Sequence, residues 1–184
     1  MKTVSCTRKG LFKRWAREDE AVAAIEAGIL FPLMLSILMG VVDLGVALTI
    51  NEKVVNSGHM MADLLAREDD INDAEFTDII VSGQLVIQPY DIAPFGYDIA
   101  GIQFVDEEAI PTVMWRETFN MDQNGDIESE SEDLGIENEG VLAVTVHYTY
   151  TPFFTTFVVG EIEMEEVSYA RGRKGLFVTR SAGS

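Results

Sequence analysis

Three features of this 184-residue chain predict an α+β fold. A 24-residue apolar run, Ala27 to Ile50, carries a single charge, Asp43. A helical pattern continues beyond it, with no proline between Ile50 and Pro89. The remainder breaks into short strand-like runs bounded by Gly, Pro and acids. The expected architecture is a long N-terminal transmembrane helix continuing into a domain with an antiparallel sheet of about four strands. The length suits one globular domain plus an anchor, not two full domains.

The apolar run is long enough to span a bilayer, since a helix needs roughly 20 such residues to cross a ~30 Å hydrocarbon layer. Few helices of soluble proteins are apolar all round over this length. The first 17 residues hold six basic groups (Lys2, Arg8, Lys9, Lys13, Arg14, Arg17) and no acid. That basic end is expected to stay in the cytoplasm and the rest to cross. The expected parts are a basic cytoplasmic leader over 1–21, a transmembrane helix over 22–50 and an α+β domain over 51–184 outside the cytoplasm. A cleavable secretory signal is the competing reading, with Gly45 and Ala47 as small residues before a cut near Ala47. Asp43 within the run and Glu26 at its start are unusual for a signal core.

Charge excludes several functions. From Ile71 to Glu166 the one basic residue is Arg116, against twenty-one Asp and Glu, and the net charge is −18. Such a surface does not neutralise phosphates, so nucleic acid is not an expected partner. The lone Cys6 permits no intrachain disulfide. Two histidines, His59 and His147, with no second cysteine exclude a Cys/His zinc site, and no cofactor is implied.

Val54, Val55, Met60, Met61, Leu64 and Leu65 recur at helical spacing, so the first helix is expected from about Val22 to about Arg67, close to 70 Å at ~1.5 Å per residue. Asn72 or Asp73 is placed to cap a second helix, with Phe76, Ile79, Ile80, Leu85 and Ile87 as its apolar side and Pro89 as its end. Strands are expected at 99–105, 111–115, 141–150 and within 162–169. In the third, Val144, Val146, Tyr148 and Tyr150 face one side, and Thr145, His147 and Thr149 the other. The sheet is expected to pack on the part of the long helix beyond the membrane.

Two carboxylates mark the apolar helix. Glu26 stands at its start, where the helix dipole favours an anion. Asp43 shares an arc of about 120° with Gly28, Pro32, Ser36, Gly40 and Ala47, a face of small residues on which another helix can approach closely. Elsewhere, Asp122, Asn124 and Asp126 have part of the spacing of a calcium loop. The position that needs Gly for the turn is Ile127, so the stretch reads as a mobile, solvated acidic loop. No nucleophile–base set or phosphate loop stands out, and an enzyme is not expected.

Glu20-Ala-Val-Ala-Ala-Ile-Glu26-Ala-Gly-Ile-Leu-Phe-Pro32, followed by Val41-Val-Asp43-Leu-Gly45, resembles the TadE-like pseudopilin family of tight-adherence (type IVb, Flp-like) pilus systems. His147-Tyr-Thr-Tyr-Thr-Pro152-Phe-Phe, the strand with Trp115, and Arg171-Gly-Arg173 are similar to later parts of that family. The resemblance implies a pilin-like domain on an inner-membrane anchor, with its C-terminal domain periplasmic. It implies a role in pilus assembly or a related secretion system, in contact with other pilin-like subunits and inner-membrane assembly proteins. It also implies a prepilin peptidase cutting between Ala21 and Val22, where the family pattern has Gly before the cut. Glu26 would then pair with the new α-amine, its own or that of a neighbouring subunit. The alternative, from another class, is a membrane-tethered periplasmic binding module with a passive anchor.

Overall fold

The computed structural model describes residues 9–106 and 108–181, with side chains from residue 22 onward. Cys6 and the first basic residues of the leader lie outside the described residues. The chain divides into two units, Met1–Leu44 and Gly45–Ser184. The elements in order are α1 (Lys9–Leu65), β1 (Asp70–Ile71), α2 (Asp73–Ile87), β2 (Phe95–Val105), β3 (Ile110–Phe119), α3 (Ile127–Glu130), β4 (Gly140–Tyr150), α4 (Thr156–Val159), β5 (Ile162–Arg171) and β6 (Thr179–Arg180). The fold is α+β, with a long N-terminal helix and a four-stranded antiparallel sheet ordered β3-β2-β4-β5.

Helix α1 starts earlier than the apolar pattern suggested. Residues 11–21 contain neither Gly nor Pro and are rich in Lys, Arg, Glu, Leu and Ala, which all favour helix. Within the second unit its buried positions are Ala47, Ile50, Val54, Ser57, Gly58, Met61, Ala62 and Leu65, a stripe that recurs at threes and fours. They pack with α2 against one sheet face, where Phe95, Ile99, Leu142, Val144, Val146, Tyr148, Tyr150 and Met164 complete the core. Each fully buried aliphatic side chain stabilises this core by roughly 1.5–3 kcal/mol relative to exposure.

Asn72 caps α2 in a reciprocal box. Its side chain accepts from the N–H groups of Ala74 and Glu75, and the Glu75 carboxylate accepts from the Asn72 N–H. The buried side of α2 is Phe76, Ile79, Ile80, Gly83 and Ile87. Leu85, expected among them, is 56 % exposed. It lies about half a turn from that stripe, and Gly83 takes the inward position in that turn. At Gly83 α1 and α2 approach closely. A Cβ there would collide with Met61, and the Ser57 hydroxyl donates to the Gly83 carbonyl at 2.9 Å.

The sheet's other face is not bare. Ala100, Ile102 and Ala143 are covered by Ile127, with Val113 and Tyr169 packed alongside. The acids of the stretch between β3 and β4 are solvated as expected, but the segment also folds back over the sheet. The physical reason is Ile127 itself, 1 % exposed. The side chain that spoils the calcium-loop pattern is the one that anchors the segment. A two-stranded parallel sheet pairs β1 with β6 and ties the C-terminal segment down. Trp115 supports it by donating its indole N–H to the Val178 carbonyl at 2.8 Å. Arg180 adds a cation–π contact, 4.6 Å from the Phe76 ring centroid, and an ion pair with Asp73 at 2.7 Å.

Candidate functional site on the N-terminal helix

Residues 22–65 of α1 form, among the described residues, the one helix long and apolar enough to cross a membrane. Its most apolar stretch has a mean hydropathy of 2.2, yet only 6 % of that stretch is buried. Ile25, Ile29, Leu30, Phe31, Leu33, Met34, Ile37 and Leu38 are all exposed. A core helix of a soluble domain would be covered. Leaving this much apolar surface in water costs about 25 cal/mol for each Å², so the stretch calls for lipid or other helices around it.

Two of its hydroxyls are satisfied within the helix itself. The Ser36 hydroxyl donates to the Pro32 carbonyl at 2.8 Å, and the Thr49 hydroxyl to the Gly45 carbonyl at 2.9 Å. Pro32 lies inside α1 and has no N–H for the Gly28 carbonyl one turn back. The small-residue arc divides into two parts. Gly28, Pro32 and Ser36 are exposed, as is Glu26 nearby, whereas Gly40 is half-buried and Asp43 and Ala47 are buried. A Cβ added at Gly28 would meet nothing within 4 Å, so this part of the arc is open to a close neighbour. Ala21 and Val22 both lie within α1, and Val22 is exposed.

Of the calcium-like side chains, that of Asn124 is used internally. Asp122 and Asp126 are exposed, while the Asn124 side chain accepts from the Asp126 N–H at 3.0 Å. The Asn124 N–H donates to Asp98 at 2.9 Å, and its carbonyl accepts from Arg116 at 2.8 Å. Among the described residues no three His, Cys, Asp or Glu side chains are grouped to hold a metal ion. His59 lies against Ser168, with Nδ1 3.3 Å from the hydroxyl.

The sequence reading missed the clamp behind this loop. Asp98 is fully buried in β2 and forms an ion pair with Arg116 of β3. Thr118 also donates to its carboxylate, at 2.8 Å. Burial pushes the Asp98 pKa up. The hydrogen bonds from Arg116, the Asn124 N–H and Thr118 outweigh that, and hold the carboxyl below its ordinary value. Arg116 was the available signal, as the one cation among twenty-one acids between Ile71 and Glu166. On the same face, burial and then the Glu130 carboxylate push the Tyr169 phenol up to about 12, across a 3.1 Å hydrogen bond.

Residues 21–57 match the family model described as TadE-like protein. The match spans Val22, Glu26, the exposed apolar run, Asp43 and the first packed turns of the second unit. No curated protein and no solved structure matches the chain. The open apolar helix lies within the matched segment, so the similarity to TadE-like protein falls on residues 21–57.

Proposed function

We propose that this chain is a TadE-like pseudopilin, a structural and assembly component of a tight-adherence pilus or related secretion system. It is anchored in the inner membrane by α1, with the basic leader in the cytoplasm and the acidic α+β domain in the periplasm. The observation that carries this reading is the coincidence of an apolar helix uncovered over 22–38 with the matched family segment. The charge asymmetry supports the orientation: six cations before residue 18, and a strongly acidic domain after the span.

In this reading a prepilin peptidase cuts between Ala21 and Val22. The exposed arc of Gly28, Pro32 and Ser36 receives a neighbouring helix from another pilin-like subunit or an assembly protein. Small side chains on this arc let backbones come close, where dispersion contacts hold helices together in lipid. Glu26 sets the axial register by pairing with an α-amine. Separating such a pair leaves a charge uncompensated in a poorly solvated place, at a cost that can reach a few kcal/mol.

Glu26→Gln separates this role from passive anchoring. The variant is expected to insert and accumulate in the membrane like the parent, because it removes a charge from an apolar helix. Its crosslinking to pilus-system partners in the native host is expected to fall at least tenfold. Unchanged crosslinking with normal pilus output would reduce Glu26 to an interfacial helix-start residue and favour the tethered binding module.

A further inference from the structure

The connection between β4 and β5 places a set of apolar side chains in the open. Phe157 is 100 % exposed, Phe153 84 % and Val158 83 %, with Phe154 and Val159 also exposed. Phe153 and Phe154 meet edge to face, and the short α4 with Gly160 (φ +78°) turns the chain back into β5. Residues 151–160 carry no charge, in a chain with thirty-one acids. Water is a poor environment for three phenylalanines on one short loop.

The position of this loop within the second unit indicates what covers it. Close to the end of α1 the Ala66 carbonyl accepts from the Arg173 N–H at 2.8 Å. Two turns earlier, Gly58 faces Ser168 of β5 and Val146 of β4. Following α1 back towards its N-terminus therefore follows β5 backward and β4 forward. From Gly58 to Leu48 is about 15 Å of helix, matched by about four to five strand residues. That distance brings β4 to Tyr150 and β5 to about Glu163, where the aromatic loop begins. Leu48 is the last large apolar side chain that α1 leaves exposed. Exposed Ile92 and Phe119 are at the same end, since Phe119 pairs with Tyr97 near the start of β2 and Tyr148 donates to the Asp91 carbonyl. The opposite end, around Asp106 and residues 132–139, is acidic.

We infer that the β4–β5 loop inserts Phe153, Phe157 and Val158 into the interfacial layer of the bilayer that α1 spans, as a second membrane contact of the folded domain. Aromatic and aliphatic side chains on an uncharged loop are suited to the headgroup–acyl boundary. Glu161 and Glu163 flank the loop, so the surface it fits is zwitterionic, not anionic. The inference rests on α1 being the membrane span.

The test uses the full-length chain with Cys6→Ser and a single nitroxide-labelled cysteine, reconstituted in phosphatidylcholine vesicles. Labels go in turn at Phe157→Cys, Val158→Cys, Leu38→Cys in the apolar run and Ile136→Cys at the acidic end. Collision rates with oxygen, which concentrates in lipid, are compared with those of a neutral water-soluble nickel chelate. Positions 157, 158 and 38 are expected to favour oxygen, and position 136 the chelate. A lipid signal at 38 with 157 and 158 as water-exposed as 136 would overturn the loop contact alone. Protection of 157 and 158 from both reagents would overturn it in favour of a protein partner, such as a second copy. A water signal at 38 would overturn both the span and the inference built on it.

Discussion

Asp98 shows how one residue secures the far face of the sheet. Its carboxylate has no solvent exposure, and each of its hydrogen bonds comes from β3 or from the loop that β3 leads into. Removing one partner of a buried pair leaves the other charge uncompensated, so Asp98→Ala is expected to cost about 3–5 kcal/mol in chemical unfolding of the detergent-solubilised chain. The folded pKa lies below the ordinary 3.8, so the ionised carboxylate is the stabilising form. Its contribution is complete above the unfolded value and is lost as pH falls from there through the lowered folded value. Asp98→Asn should accordingly flatten the acid limb of stability below about pH 4. A loss under about 1 kcal/mol in the Ala variant, with an unaltered acid limb, would contradict the clamp. Glu26 and Asp43 stood out in the sequence because they are the charges at the start of and within the apolar run. Asp98 was not legible, because the strand was expected to begin at Ile99 and an acid just before it reads as an exposed boundary. Only the folded-back loop makes its face of the sheet dry.

At the scale of elements, helical and strand periodicities carried far. The four long strands, the Asn72 cap and the end of α1 near Leu65 follow from alternation, capping chemistry and spacing. Three parts did not follow. The early start of α1 was hidden because the basic and apolar stretches were separated by chemistry, while the backbone sees only helix formers. The β1–β6 pairing involves two residues a side, too few for any period to register. Leu85 was placed inward on hydrophobicity alone, although Phe76, Ile80, Gly83 and Ile87 define the stripe and Leu85 faces away. Ile80 and Leu85 thus make a direct contrast. Ile80→Ala should destabilise the chain by about 2–4 kcal/mol, as large-to-small core changes do. Leu85→Gln should stay within about 0.5 kcal/mol, as surface changes do. Equal losses in paired unfolding curves would contradict the assigned face.

At the scale of the whole molecule, the sequence separates three chemistries along one chain: a basic leader, an apolar helix and an acidic α+β domain. The family match covers the junction of the first two and the entry to the third, residues 21–57. The open arc on α1 was readable from the spacing of Gly28, Pro32 and Ser36. Which part of it stays open was not, since that depends on burial of Asp43 and Ala47. Of the uncharged aromatic loop after β4, the sequence singled out only Pro152-Phe-Phe as the end of a strand motif, and its level relative to Leu48 is a property of the packed unit. The central claim is that this chain is processed and used as a pseudopilin. N-terminal sequencing of the protein extracted from the membrane of its native host tests it most directly. A mature chain beginning at Val22 is the predicted result, and a cut there also places the leader on the cytoplasmic side, where the peptidase acts. An intact Met1 would contradict processing, and a start at Leu48 would replace the anchored pseudopilin with a secreted domain.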